Sequence, residues 1–91
     1  MIAYLTIDDA PSAGWRARLD TLERLGARTV FFCSGEALQA RPEFVRAALA
    51  NGHIVGNHAW SHPAFSEITL EECEEEIERT HRLLVELHRA S

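Results

Sequence analysis

Three observations predict an α/β fold built on a parallel sheet. Runs rich in β-branched and aromatic residues alternate with segments of helical spacing, the joining loops are short, and the middle strand run is apolar without alternation. Strand-helix units in series give parallel strands with right-handed crossovers. The 91 residues suffice for one domain with one core. A complete (β/α) barrel needs about 200 residues or more, so the chain reads as a partial (β/α) barrel of three parallel strand-helix units. Its open sheet edges predict self-association or a missing carboxy-terminal half.

The first strand is Ile2 to Ile7, ended by Asp8-Asp9-Ala10-Pro11-Ser12, where Pro11 denies a ladder donor and forces a turn. Trp15, Leu19, Leu22 and Leu25 then carry the spacing of one buried helical stripe, and Gly26 stands where a left-handed cap is wanted. The second strand, Thr29 to Cys33, has the pattern of a strand covered on both faces. Ser34-Gly35 breaks it, and a short helical turn from Glu36 to Ala40 leads to Pro42, placed to open another helix. Phe44, Val45, Ala48 and Leu49 form that helix's inner face, with Gly52 closing it. The third strand, Ile54 to Gly56, gives way to Asn57-His58-Ala59-Trp60-Ser61-His62-Pro63. Thr69 and Glu72 form a capping box for a last helix whose stripe is Leu70, Cys73, Ile77, Leu84 and Leu87.

Composition narrows the function classes. With 46% hydrophobic and 25% charged residues the chain reads as globular rather than disordered. The formal charge of -5, with scattered Lys and Arg, argues against nucleic acid, which demands a basic face. The acidity gathers in Glu71 to Glu78, most of it read as a solvated helix flank. Cys33 and Cys73 are too few for a disulfide framework and read as buried free thiols. No apolar run can span a bilayer, and no basic-apolar-small leader opens the chain, so no membrane partner is expected. The sequence as given points to the cytoplasm, with secretion open if it is a piece of a longer protein.

Sites in parallel α/β folds gather beyond the carboxyl ends of the strands. Asp8 and Asp9 follow the first strand there, and His58 and His62 follow the third. Two adjacent carboxylates can converge only where the strand gives out, and a cation would relieve their repulsion. Two histidines four apart share one side of a turn, and with one carboxylate they make a set that leaves coordination positions open. Zinc, cobalt, nickel, manganese or iron would each suit it.

Leu5-Thr6-Ile7-Asp8-Asp9-Ala10-Pro11 resembles the first motif of the NodB-type polysaccharide deacetylases, carbohydrate esterase family four. Gly56-Asn57-His58-Ala59-Trp60-Ser61-His62-Pro63 is similar to the second, and Phe31 to Gly35 and Arg41 to His53 resemble the stretch between them. The resemblance spans nearly the whole chain and about the first half of a family domain. It implies Asp8 as catalytic base and Asp9, His58 and His62 as ligands of a divalent ion, zinc ranking first. The implied reaction is hydrolysis of N-acetyl, sometimes O-acetyl, groups on an acetylated carbohydrate. Ala10 stands for the usual Gly, Ile7 for Phe, and Ala59 for the hydroxyl residue after the first histidine, which marks a divergent subgroup. The later motifs, an Arg that orients the base and a His that protonates the leaving amine, have no counterpart in these 91 residues. The chain alone is therefore expected to be weak or inactive. His53, His81 and His88 read as structural, and Cys33 as packed. The alternatives are a non-catalytic metal-binding or interaction module, or a structural α/β fragment.

Overall fold

The computed structural model describes residues 4–91. Three parallel strands, β1 (Thr6–Ala10), β2 (Val30–Cys33) and β3 (Ile54–Asn57), lie in sequential order. Between them run helices α1 (Trp15–Leu25), α2 (Gly35–Ala40) and α3 (Glu43–Ala50), and α4 (Leu70–Arg89) follows a single 3₁₀ turn at Phe65–Glu67. This is the three-unit partial barrel that the sequence predicts.

Local chemistry explains most of the boundaries. Gly26 ends α1 at φ 63°, with Gly26 N–H donating to Glu23 O and Ala27 N–H to Leu22 O, the paired bonds of a Schellman ending. Ser34 caps α2, its hydroxyl accepting from Ala37 N. Pro42 is the cap of α3 rather than its first residue. Thr69 and Glu72 complete the expected capping box on α4.

One core fills one face of the sheet. Trp15, Leu19 and Leu22 of α1, Phe31 and Cys33 of β2, Leu38 of α2, Phe44, Val45 and Ala48 of α3 and Leu84 of α4 are all buried. Phe44 sits at its centre, edge-on to Trp15 at 5.6 Å and to Phe31 at 5.0 Å between ring centroids. Burial pushes the Cys33 thiol up to about 12, so it packs as a small apolar group.

Four expectations need correction, the first being Leu25, expected in the buried stripe of α1 and found exposed at its end. β1 runs on through Asp8, Asp9 and Ala10 instead of ending at Ile7, because a register irregularity between Ile7 and Ala10 lets the chain stay paired with β2; the expected start at Ile2 and Ala3 lies outside the described residues. β2 alternates in burial, Phe31 and Cys33 inside and Val30 and Phe32 half-buried, so helices cover one of its faces rather than both. Among the described residues, the apolar side chains on the second face have no layer over them. On α4, Leu84 is buried and Leu87 packs against the core as expected, but Leu70 and Ile77 are exposed, Cys73 is half-buried, and Thr80 takes a buried place. A 20-residue helix is about 30 Å long, against roughly 13 Å for a four-residue strand, so the sheet cannot cover all of it. Thr80, fully buried, satisfies its hydroxyl on Glu76 O at 2.9 Å.

His53 is buried at the opposite end of the sheet from the candidate residues. Its Nδ1 accepts from Thr29 N at 3.1 Å and its ring meets Phe31 edge-on. Burial first, then the Arg28 charge, hold its pKa below the ordinary value, with Glu23 opposing. Above about pH 6.5 the ring is neutral in folded and unfolded chains alike. As pH falls below that, the unfolded chain takes up the proton first, so stability declines until the folded pKa is passed. Urea midpoints at pH 7.5 and 5.5 should show this loss, and His53→Gln should flatten it. Equal slopes in the two proteins would remove His53 from the pH dependence.

Candidate metal centre

The candidate side chains come from the carboxyl ends of β1 and β3, which are tied together through β2. Ser34 N donates to Ala10 O at 3.1 Å and His58 N to Cys33 O at 2.9 Å, extending both ladders past the strand ends. Asp9 adopts φ 58° within the irregular stretch of β1. That left-handed residue breaks the alternation that would otherwise send Asp8 and Asp9 to opposite faces. Asp is among the residues that tolerate this conformation.

Asp9 Oδ1 lies 3.2 Å from His58 Nε2 and 3.3 Å from His62 Nε2. The imidazoles are 4.9 Å apart and tilted. All three candidate donor atoms fall within 4.8 Å of one another. Nitrogen and oxygen ligands at about 2.0–2.2 Å from one ion, with angles of about 90–110°, stand roughly 2.8–3.6 Å apart. Both carboxylate-imidazole separations sit inside that interval, and the three donor atoms are grouped closely enough to be candidates for holding one divalent ion. Asp8, exposed, lines a small crevice with Pro11, Ser12 and Arg18 beside Asp9.

The loop carrying the histidines is unusual in its backbone. Ala59 and His62 both have left-handed φ, 66° and 59°, a conformation costing non-glycine residues on the order of 1–3 kcal/mol when over-determined by its surroundings. Those surroundings are visible. Asn57 Oδ1 accepts from Ala59 N at 2.8 Å, and the carbonyls of Ala59 and Trp60 accept from Gly35 N and Glu36 N. Trp60 is buried against Gly35, where a Cβ would lie 2.0 Å from the indole ring, so glycine is required for that approach. Glu76 of α4 takes the amides of Trp60 and Ser61. Glu76 therefore departs from the solvated flank expected for the acidic run, and spacing gave no sign of it.

A groove of about 420 Å³ opens beside the histidines, lined by His58, His62, Pro63, Phe65 and Ile77 among others. His81 and His88 are not among the three clustered groups; with Leu84 they border a groove between α4 and Val55, Gly56 and Asn57 of β3, and His88 Nδ1 meets Leu84 O.

The family model for polysaccharide deacetylase matches residues 1–89 of this chain. The chain belongs to the polysaccharide deacetylase family. Among deacetylase relatives, the peptidoglycan-N-acetylglucosamine deacetylase PgdA of Listeria monocytogenes is 35% identical over 86% of this chain and 17% of its own length. The solved peptidoglycan deacetylase PdaC from Bacillus subtilis is 33% identical with a TM-score of 0.87, over 92% of this chain and 42% of that one. A family 4 carbohydrate esterase from Streptomyces lividans, solved with acetate, is 30% identical with a TM-score of 0.90, over 94% of this chain and 45% of that one. This deacetylase-family chain thus spans less than half the length of these relatives.

Proposed function

We propose that this chain is the metal-holding, amino-terminal portion of a deacetylase that hydrolyses acetyl groups on an N-acetylated or O-acetylated carbohydrate. The observation that carries the reading is the convergence of His58 Nε2 and His62 Nε2 on one carboxylate oxygen of Asp9, at 3.2 and 3.3 Å. Asp9, His58 and His62 would hold the ion, the imidazoles through Nε2. When bound, the ion would polarise the acetyl carbonyl and stabilise its developing negative charge. Zinc is our first choice for this one-carboxylate, two-imidazole set, with cobalt, nickel, manganese and iron as alternatives.

Asp8 is the base in this reading. It neighbours Asp9 at the open end of β1, where it can take a proton from the attacking water while Asp9 is committed to the ion. Chemical logic favours this division, because a cation beside the pair would relieve the repulsion of adjacent carboxylates and engage Asp9, leaving Asp8 to accept the proton. The groove lined by Phe65 and Ile77 offers apolar surface to the face of a sugar ring beside the reacting group.

Further barrel strands would pair at the free β1 or β3 edges and close over the half-buried Val30 and Phe32 and the exposed Ile54. Those strands, from further sequence or a second chain, would bring the leaving-group acid. The test has two arms. Metal analysis of the purified chain, loaded beside a control protein, should find one divalent ion per chain, and its absence would remove the metal reading. Release of acetate from an acetylated chitooligosaccharide should be weak with the chain alone and rise when a second chain carrying the later motifs is added. Family-like turnover by the chain alone would overturn the division of labour.

A further inference from the structure

Glu76 is bound to the histidine loop through both carboxylate oxygens. Oε1 accepts from Trp60 N at 3.0 Å and Ser61 N at 2.7 Å, and Oε2 accepts from Ser61 Oγ at 2.9 Å. Hydrogen bonds to an ionised carboxylate are the strong kind. Among the described residues, the ion pairs of α4 join Arg82 to Glu75 and Glu78, leaving the Glu76 carboxylate with the loop amides. One turn on, Arg79 lays its guanidinium over the Trp60 ring at 3.8 Å. Asn57 adds a further tie, donating from Nδ2 to Ile77 O at 2.9 Å.

These contacts matter because of where they fall. His58 is anchored by its own backbone to the end of β2, through the bond to Cys33 O. His62 has no such ladder, and its side chain is 62% exposed. What places it is the turn through Ala59, Trp60 and Ser61, entered and left through left-handed residues. That turn aims two consecutive N–H groups at one point, and Glu76 occupies the point. We propose that Glu76 is a positioning residue that sets divalent-ion affinity by holding His62 in register with His58 and Asp9. The proposal rests on the metal reading above. It also bears on Ala59, which lacks the hydroxyl that usually follows the first histidine in the family motif: here the loop hydroxyl bound to a carboxylate is that of Ser61.

The test is cobalt titration of the whole chain, following both affinity and the visible absorption band that reports ligand geometry. Outer-shell groups of this kind are worth about 10–100-fold in affinity. Glu76→Ala should weaken cobalt binding by about that factor and alter the band. Glu76→Gln, which keeps an acceptor for the two amides, should lose less. Glu75→Ala, on the exposed side of the helix, should match the unmodified chain. Amide exchange at Trp60 and Ser61 should quicken in Glu76→Ala while exchange in β2 is unchanged. Unmodified affinity and spectrum in Glu76→Ala would overturn the proposal. If Glu76→Ala does not fold, Glu76→Gln decides, weaker binding supporting it and equal binding overturning it. A chain that binds no cobalt even without substitution would instead overturn the metal reading, and this proposal with it.

Discussion

An Asp9→Ala chain is expected to lose stoichiometric divalent-ion binding, and an Asp8→Asn chain to keep it while losing turnover. The first expectation follows from geometry. Asp9 Oδ1 is the oxygen that both Nε2 atoms approach, and removing it leaves two imidazoles without a carboxylate counter-charge for a dication. The loss in affinity should exceed the roughly 10–100-fold typical of outer-shell changes, because a ligand itself is gone. Calorimetric titration with zinc measures it. The second expectation follows from chemistry. Asparagine preserves the shape of Asp8 but cannot take a proton, and a positioned base contributes about 10²–10⁴-fold. Acetate release, measured with the complementing chain present, should fall by that factor at unchanged zinc occupancy. Zinc bound by Asp9→Ala as tightly as by the unmodified chain would sink the ligand assignment. Undiminished acetate release by Asp8→Asn would sink the base assignment alone. The two substitutions, on adjacent residues, thus separate two roles that share a motif.

The approach of Asp9, His58 and His62 could be anticipated because parallel topology leaves few choices. Once three strand-helix units are read, residues just past the first and third strands must lie at the same end of one sheet. What could not be read was how the backbone lets them meet. The irregular register of β1 and the left-handed Asp9, Ala59 and His62 depend on hydrogen bonds to β2, α2 and α4, none local in sequence. Glu76 is the plainest case. It lies in a run of six glutamates between positions 71 and 78, and only its contact with the amides of Trp60 and Ser61 singles it out. The stripe of α4 holds at Leu84 and Leu87 and fails at Leu70 and Ile77 for a related reason. Helical periodicity shows which residues share a face, but how far along the helix a neighbour reaches is set by the length of the sheet. β2 is the opposite case. Its unbroken apolar run predicts cover on both sides, and the structure covers one. The run describes the strand's surroundings in a whole barrel, of which these residues build a part.

Phe44→Ala should be the most destabilising single truncation in the core. The ring is 1% exposed and contacts Trp15 of α1 and Phe31 of β2 edge-on, so one side chain joins two helices to the sheet. Truncating a buried phenylalanine costs about 3–5 kcal/mol, a large share of the roughly 5–15 kcal/mol that holds a domain together. For a chain of this size each kcal/mol is worth about 4–8 °C, so the midpoint of thermal unfolding should fall by roughly 12–40 °C or the transition should vanish. Leu25→Ala, at a side chain 74% exposed on the neighbouring helix, should stay within about 0.5 kcal/mol. Phe32→Ala is the informative contrast. Phe32 occupies the next-but-one rung from Val30 on the uncovered face, half-buried beside Gly56 and His58. Its truncation opens no sealed cavity and should cost clearly less than Phe44→Ala, as read from urea midpoints at equal slope. Equal costs at the two positions would mean that a second layer covers that face in solution. A large difference would mean that the fold rests on a single layer of helices, with the face toward the barrel interior free to receive the strands that complete the site.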